Sequence, residues 1–169
     1  KGYLGCCDGT RMSDGRFMYF AFGSNLLKER LQLANPSATF HSTGRLKDHE
    51  LNFGLYEENV DSIWHGGVAT ISSCPGAEVW GVIWTLSIKD LPSLDKQEGV
   101  NKGIYSPLEV SVESDKGLIF CRTYQMKTCL RLPSLSSVQT GVCACTQKHW
   151  SAIKPILCNK CNFPIGKVR

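Results

Sequence analysis

Two features of the chain have residue types and spacing suited to chemistry. One is a carboxylate, Glu98, directly before a glycine in Leu94-Asp95-Lys96-Gln97-Glu98-Gly99. The other is the turn Gly23-Ser24-Asn25 at the end of the aromatic run Phe17-Met18-Tyr19-Phe20-Ala21-Phe22. A carboxylate in an apolar setting has its pKa raised toward that of a working general acid or base. A turn leading into a helix presents unpaired backbone N–H groups, and the helix dipole there favours a carboxylate or phosphate. Gly23 suits the tight turn, and Ser24 or Asn25 suits the helix cap. Each feature also has a plainer reading: a strand-to-helix connection that binds nothing, and a solvated glutamate among 15 acidic residues. Spacing alone does not separate Glu98 from the others.

Other chemistries find less support. The chain has no HExxH run, no phosphate-binding Gly-x-x-x-x-Gly-Lys-Ser/Thr loop and no Gly-x-Ser-x-Gly elbow. Of nine cysteines, Cys6, Cys7, Cys74 and Cys121 are scattered, and a lone cysteine in a strand pattern is usually a small buried apolar residue. Cys129, Cys143, Cys145, Cys158 and Cys161 crowd the C-terminal part, and with His149 four of them outline a zinc site. Only Cys158-x-x-Cys161 has a common zinc spacing, and the hairpin and helix that usually present such ligands are missing from the pattern. The expectation is no metal and no cofactor.

The elements that must position Glu98 and the turn follow from periodicity. Residues 17–22 read as a buried strand, and Leu26, Leu27, Arg30, Leu31 and Ala34 continue at helical spacing until Asn35-Pro36. Ala38 to Arg45 and His49 to Gly54 predict two strands, followed by a polar loop over 56–62. Val68 to Ile71 and Val79 to Trp84 predict a hairpin around Pro75-Gly76. Pro92 to Gly99 predicts a short helix with Pro92 in its first turn. Leu108 to Val112 and Leu118 to Met126 predict a second hairpin across Ser114-Asp115-Lys116-Gly117. Pro107 and Gly81 suggest bulges or a sheet edge. The sum is an α+β fold, a small mixed, mostly antiparallel curled sheet or barrel with a few helices, with Glu98 pointing into the cavity the curl leaves.

With 169 residues and 42% hydrophobic content, the chain can bury one sizeable core. No apolar run approaches the length of a membrane span. A net charge of +4, spread along the chain, lacks the clustered basic face that nucleic-acid binding needs. Residues 1–16 read as a disordered leader, with Met12 inside it, which suggests a fragment or an upstream read-through. Residues 17–126 then form the domain, and 127–169 a tail with scattered apolar residues and no sustained period.

Several separated segments, in order, resemble the vertebrate gamma-glutamylcyclotransferases. They are Tyr19-Phe20-Ala21-Phe22-Gly23-Ser24-Asn25-Leu26, Asn35-Pro36-Ser37-Ala38, Trp64-His65-Gly66-Gly67-Val68-Ala69-Thr70, Glu78-Val79-Trp80-Gly81-Val82-Ile83-Trp84, Ser93 to Val100, and Cys121-Arg122-Thr123-Tyr124. The resemblance implies a cytosolic, cofactor-free enzyme of glutathione metabolism that converts gamma-glutamyl amino acids to 5-oxoproline and a free amino acid. It also implies a small mixed barrel and a homodimer. By the same resemblance Glu98 is catalytic, and Tyr19, Phe20, Ala21, Phe22, Gly23, Ser24 and Asn25 bind substrate. Tyr105 has two readings, a hydrogen bond to Glu98 or substrate, and packing. Two departures stand out: Phe22 replaces a tyrosine, and after Met126 the tail diverges, with Gln139 where the family has a site-closing tyrosine. That tail motivates an alternative, a catalytically impaired isoform acting as a binding or regulatory protein.

Overall fold

In the computed structural model, residues 14–55, 68–127 and 130–131 are described. The leader up to residue 13, the polar loop at 56–62, Trp64 to Gly67 and the cysteine-rich part of the tail lie outside them. The strands are β1 (Arg16–Ala21), β2 (Thr39–Leu55), β3 (Val68–Ser87), β4 (Tyr105–Ser114), β5 (Gly117–Met126) and β6 (Leu130–Arg131). They run in the order β3-β1-β5-β4-β2-β6, and β3 also pairs with β2, which closes the first five into a barrel. Only β1 and β5 run parallel, meeting at Tyr19 and Arg122, so the sheet is mixed and mostly antiparallel as expected.

Alternation along the strands makes two cores. Met18 and Phe20 of β1 join Leu46, Ile71, Val79, Ile83, Val110, Val112 and Cys121, contributed by all five strands, and fill the barrel interior. The intervening residues Phe17, Tyr19 and Ala21 face outward with Val82, Trp84, Leu86 and Tyr124. That outer face is covered by Leu31 of the helix α1 (Lys28–Gln32) and Leu94 of the helix α2 (Leu91–Gln97), each fully buried. A central strand with both faces covered explains the continuous apolar run of β1.

Three expectations change. The predicted strands 38–45 and 49–54 are one strand, β2, kinked at Asp48, which takes φ +57°. The predicted hairpin at Pro75-Gly76 does not form, because both halves belong to β3 and pair with the same β2: Leu51 faces Ile71 and Leu46 faces Val79. Register jumps between Lys47 and His49, and the extra residues of β3, Gly76 included, are absorbed as a bulge. The Gly76 N–H donates to Asp48 Oδ1 at 2.9 Å across it. Gly81 makes no bulge. It pairs in register with Gly44, and a Cβ there would lie 2.3 Å from the Ala21 carbonyl oxygen, so glycine is what lets β1 and β3 approach. Pro107 pairs in register with Tyr124, while β2 reaches β4 only at Glu113 and Ser114, consistent with the edge reading.

The hairpin β4–β5 and the helix opened by Pro92 form as expected. At the two ends of the domain, the Gly15 carbonyl accepts from the Ile88 N–H at 2.9 Å, and β6 pairs with Gly54 and Leu55.

Candidate active site

The helix expected after Gly23 is broken in two. Ser24–Leu26 forms a 3-10 turn, Leu27 is extended at ψ 123°, and α1 starts at Lys28. At the break, the Asn25 carbonyl accepts from the indole Nε1 of Trp84 at 3.1 Å. Neither Ser24 nor Asn25 caps through its side chain. Gly23 sits at φ −116°, outside the left-handed region, and a Cβ there would meet Ala69 at an ordinary 3.4 Å. The turn does keep the N–H groups of Ser24 and Asn25 without partners inside it.

Asn25, freed from capping, is buried and turns its amide to Glu98. Asn25 Nδ2 donates to Glu98 Oε1 at 2.7 Å and to the Tyr19 hydroxyl at 3.1 Å. The Tyr19 hydroxyl donates to the same Glu98 Oε1 at 3.2 Å. Glu98 itself closes α2: its N–H donates to the Leu94 carbonyl, and Gly99 follows in the left-handed conformation at φ +68°. Burial raises the carboxyl pKa of the partly buried Glu98 above its ordinary value. The bonds from Tyr19 and Asn25 and the nearby Arg30 cation act in the opposite direction, and Asp95 adds to the rise. Burial and the Glu98 charge together push the Tyr19 phenol well up, so it stays protonated and remains a donor.

A second network braces the first. Asp95, one turn before Glu98 on α2, accepts from Arg122 Nη2 at 2.8 Å and from the Tyr124 hydroxyl at 2.5 Å. Tyr124 packs edge-on against Tyr19 with ring centroids 5.9 Å apart. The network thus ties α2 to β5 and supports the Tyr19 ring.

Of the residues expected at the site, Tyr19, Asn25 and Glu98 come together, with Gly23 and Ser24 at the adjoining turn. Ala21 lies in the outer core, while Phe20 and Phe22 pack with the barrel interior, across β1 from Glu98. The tyrosine hydroxyl that Phe22 lacks is therefore remote from the carboxylate. The Tyr105 hydroxyl donates to the Ala69 carbonyl at 2.6 Å, and its ring packs on the outer core. Glu98 lies on the outer face of the barrel, beneath the helices, and not in its interior, because Tyr19 alternates outward from β1. Asp95, Tyr124, Gln97 and Asn35 escaped the sequence reading. The spacing of Asp95 and Glu98, three apart on one helix face, is a signal that could have found Asp95. Among the described residues no cluster of metal-ligating side chains occurs, and Cys143, Cys145, His149, Cys158 and Cys161, weighed as a zinc outline and set aside, lie outside them.

The barrel and its outer-face site define the class first: a model of the AIG2-like family matches residues 78–142, sixteen residues beyond Met126. The chain is 48% identical over 139 residues to the bovine gamma-glutamylcyclotransferase, covering 81% of this chain and 74% of that protein. It is 45% identical over 140 residues to the human one, covering 82% and 74%. A solved gamma-glutamyl cyclotransferase superposes with TM-score 0.68 at 40% identity, over 91% of this chain and 94% of that one. The chain belongs to the gamma-glutamylcyclotransferase family.

Proposed function

We propose that the chain is a gamma-glutamylcyclotransferase that releases 5-oxoproline and a free amino acid from gamma-glutamyl amino acids, with Glu98 as general acid and base. The observation that carries this reading is the Glu98 carboxyl, raised in pKa by burial yet held by Asn25 and Tyr19. The substrate carries an alpha-ammonium, an alpha-carboxylate and a gamma-amide. Glu98 takes a proton from the ammonium, and the freed amine attacks the gamma-carbonyl carbon to close a five-membered ring. The ring nitrogen gives up its second proton to solvent, the amide C–N bond breaks, and Glu98 returns its proton to the departing amine. Both donors meet Oε1, which leaves Oε2 to handle the proton. The N–H groups of Gly23, Ser24 and Asn25 hold the alpha-carboxylate, so the amine stays in a near-attack geometry and the ring closure gains from proximity.

The same reading makes the enzyme cytosolic and cofactor-free, assembled as a homodimer, with no nucleic-acid or membrane partner. Cys74 and Cys121 are free thiols, which suits a reducing compartment. Among the described residues no helix is long and apolar enough to cross a membrane. No observation favours the impaired binding isoform.

The test is 5-oxoproline release by the purified chain from a panel of gamma-glutamyl amino acids, gamma-glutamyl-lysine amides and glutathione, with alpha-linked glutamyl peptides as controls. Release from at least one gamma-linked substrate and none from the controls is expected. No release from any gamma-linked substrate overturns the reading.

A further inference from the structure

Behind Asn25 stands a chain of amides that reaches from Glu98 to the end of α1. Asn35, fully buried, donates through Nδ2 to the Leu31 carbonyl at 3.2 Å and to Gln97 Oε1 at 2.8 Å. Gln97 Nε2 donates to Asn25 Oδ1 at 2.9 Å, and Asn25 Nδ2 donates to Glu98 Oε1 at 2.7 Å. An amide side chain can face either way, so the direction of such a chain is set only where one end has no choice. The Leu31 carbonyl is that end. It can only accept, and it already accepts the Asn35 backbone N–H at 3.1 Å. Asn35 must therefore turn Nδ2 toward it, Gln97 must turn its oxygen toward Asn35, and Asn25 must turn its NH2 toward Glu98.

Asn35 Oδ1 is left buried with no hydrogen-bond partner among the described residues. A buried orphan acceptor is unfavourable, and packing alone gives no reason to keep it. Reversing Asn35 would satisfy nothing, because it would set oxygen against oxygen at both Leu31 and Gln97.

We propose that Asn35 and Gln97 are positioning residues that fix the direction of the Asn25 amide, so that Glu98 meets a donor and stays ionised to receive the substrate's proton. The proposal rests on the reading of Glu98 as the base. With the relay cut, Asn25 is free to reverse and to present Oδ1 to the carboxyl, which favours the protonated form. Other titratable groups face Glu98 from every side: Tyr19 on β1, Arg30 on α1 and Asp95 on α2, with Tyr124 and Arg122 of β5 engaging Asp95. Substitutions at 35 and 97 leave all of them in place.

The experiment compares the parent with Gln97→Met and Asn35→Leu. Gln97 is only partly buried, and methionine keeps its length and helix preference, so α2 persists in that variant. Each variant is checked by thermal melting. The Glu98 carboxyl is titrated by carbon NMR, assigned with Glu98→Gln, and the pH profile of kcat/KM is recorded. The expected result is a Glu98 midpoint moved to higher pH in both variants, with the acid limb of the profile following it. kcat/KM should fall about tenfold or more at the acid end and less than about threefold on the alkaline plateau. A purely structural role would lower activity evenly and leave the Glu98 midpoint in place. Folded variants with the parent's midpoint and acid limb contradict the proposal, as does loss of folding in both. Failure of the underlying reading looks different: the parent would release no 5-oxoproline, or Glu98→Gln would stay active, whatever the carboxyl titration shows.

Discussion

Glu98 is exposed to two opposing influences, burial that favours its neutral form and hydrogen bonds from Tyr19 and Asn25 that favour its charged form. A hydrogen bond donated to a carboxylate stabilises the ion, so removing the Tyr19 hydroxyl raises the Glu98 pKa. Tyr19→Phe is therefore expected to move the acid limb of kcat/KM to higher pH, measured as a pH–rate profile. An unmoved limb in a folded variant would mean that the hydroxyl does not act on Glu98. The glycine turn is expected to be more tolerant than its sequence suggests: Gly23→Ala places a Cβ at an ordinary 3.4 Å from Ala69, and its melting point should stay within a few degrees of the parent. Glu98 and Asn25 were marked by the family resemblance, since the helix end before a glycine did not by itself separate Glu98 from the other acidic residues. Their contact was not legible, since the two are 73 positions apart. Nothing in the sequence joined Gln97 and Asn35 to the site, because neutral amides carry no characteristic spacing and their bond spans 62 positions.

At the scale of elements, β1 explains why the site forms where it does. Its alternation sends Phe20 into the barrel and Tyr19 outward to Glu98, and the closeness of β3 behind it depends on Gly81. A Cβ at 81 would lie 2.3 Å from the Ala21 carbonyl oxygen and 2.6 Å from the Phe20 ring, both in buried surroundings. Gly81→Ala is expected to destabilise the chain by about 3 kcal/mol, or roughly 10 °C in Tm, read by thermal melting. A melting point equal to the parent's would show that the strands separate freely. The strands and the short helix at Pro92 were legible because their apolar periods are strong. The Pro75-Gly76 hairpin was misread for a physical reason: turn residues also suit a bulge, and only the pairing of both halves of β3 with β2 distinguishes the two. The broken helix after Gly23 was equally hidden, since the Trp84 indole that meets the Asn25 carbonyl at the break is 59 residues away.

For the whole molecule, the raised pKa of Glu98 means that ionising it opposes folding. The penalty is absent below the ordinary glutamate pKa, where folded and unfolded chains are both protonated at this site, and it grows as pH rises through the folded-state value. Glu98→Gln is therefore expected to melt higher than the parent at neutral pH, with the gap closing on acidification. A gap that widens toward acid pH would reverse the assigned shift. A stability gain joined to a loss of turnover is what a strained functional carboxylate produces. The measurement that tests the account most directly is 5-oxoproline release by Glu98→Gln beside the parent, on the gamma-glutamyl substrate the parent turns over best. Glutamine keeps the size of the side chain and can accept from Asn25 and Tyr19, but it cannot carry the proton. The account predicts a fall of about 10² to 10⁴ in kcat with the fold intact. A folded variant that retains more than about a tenth of the parent rate would contradict it, since the proton transfer assigned to this carboxylate supplies far more than that.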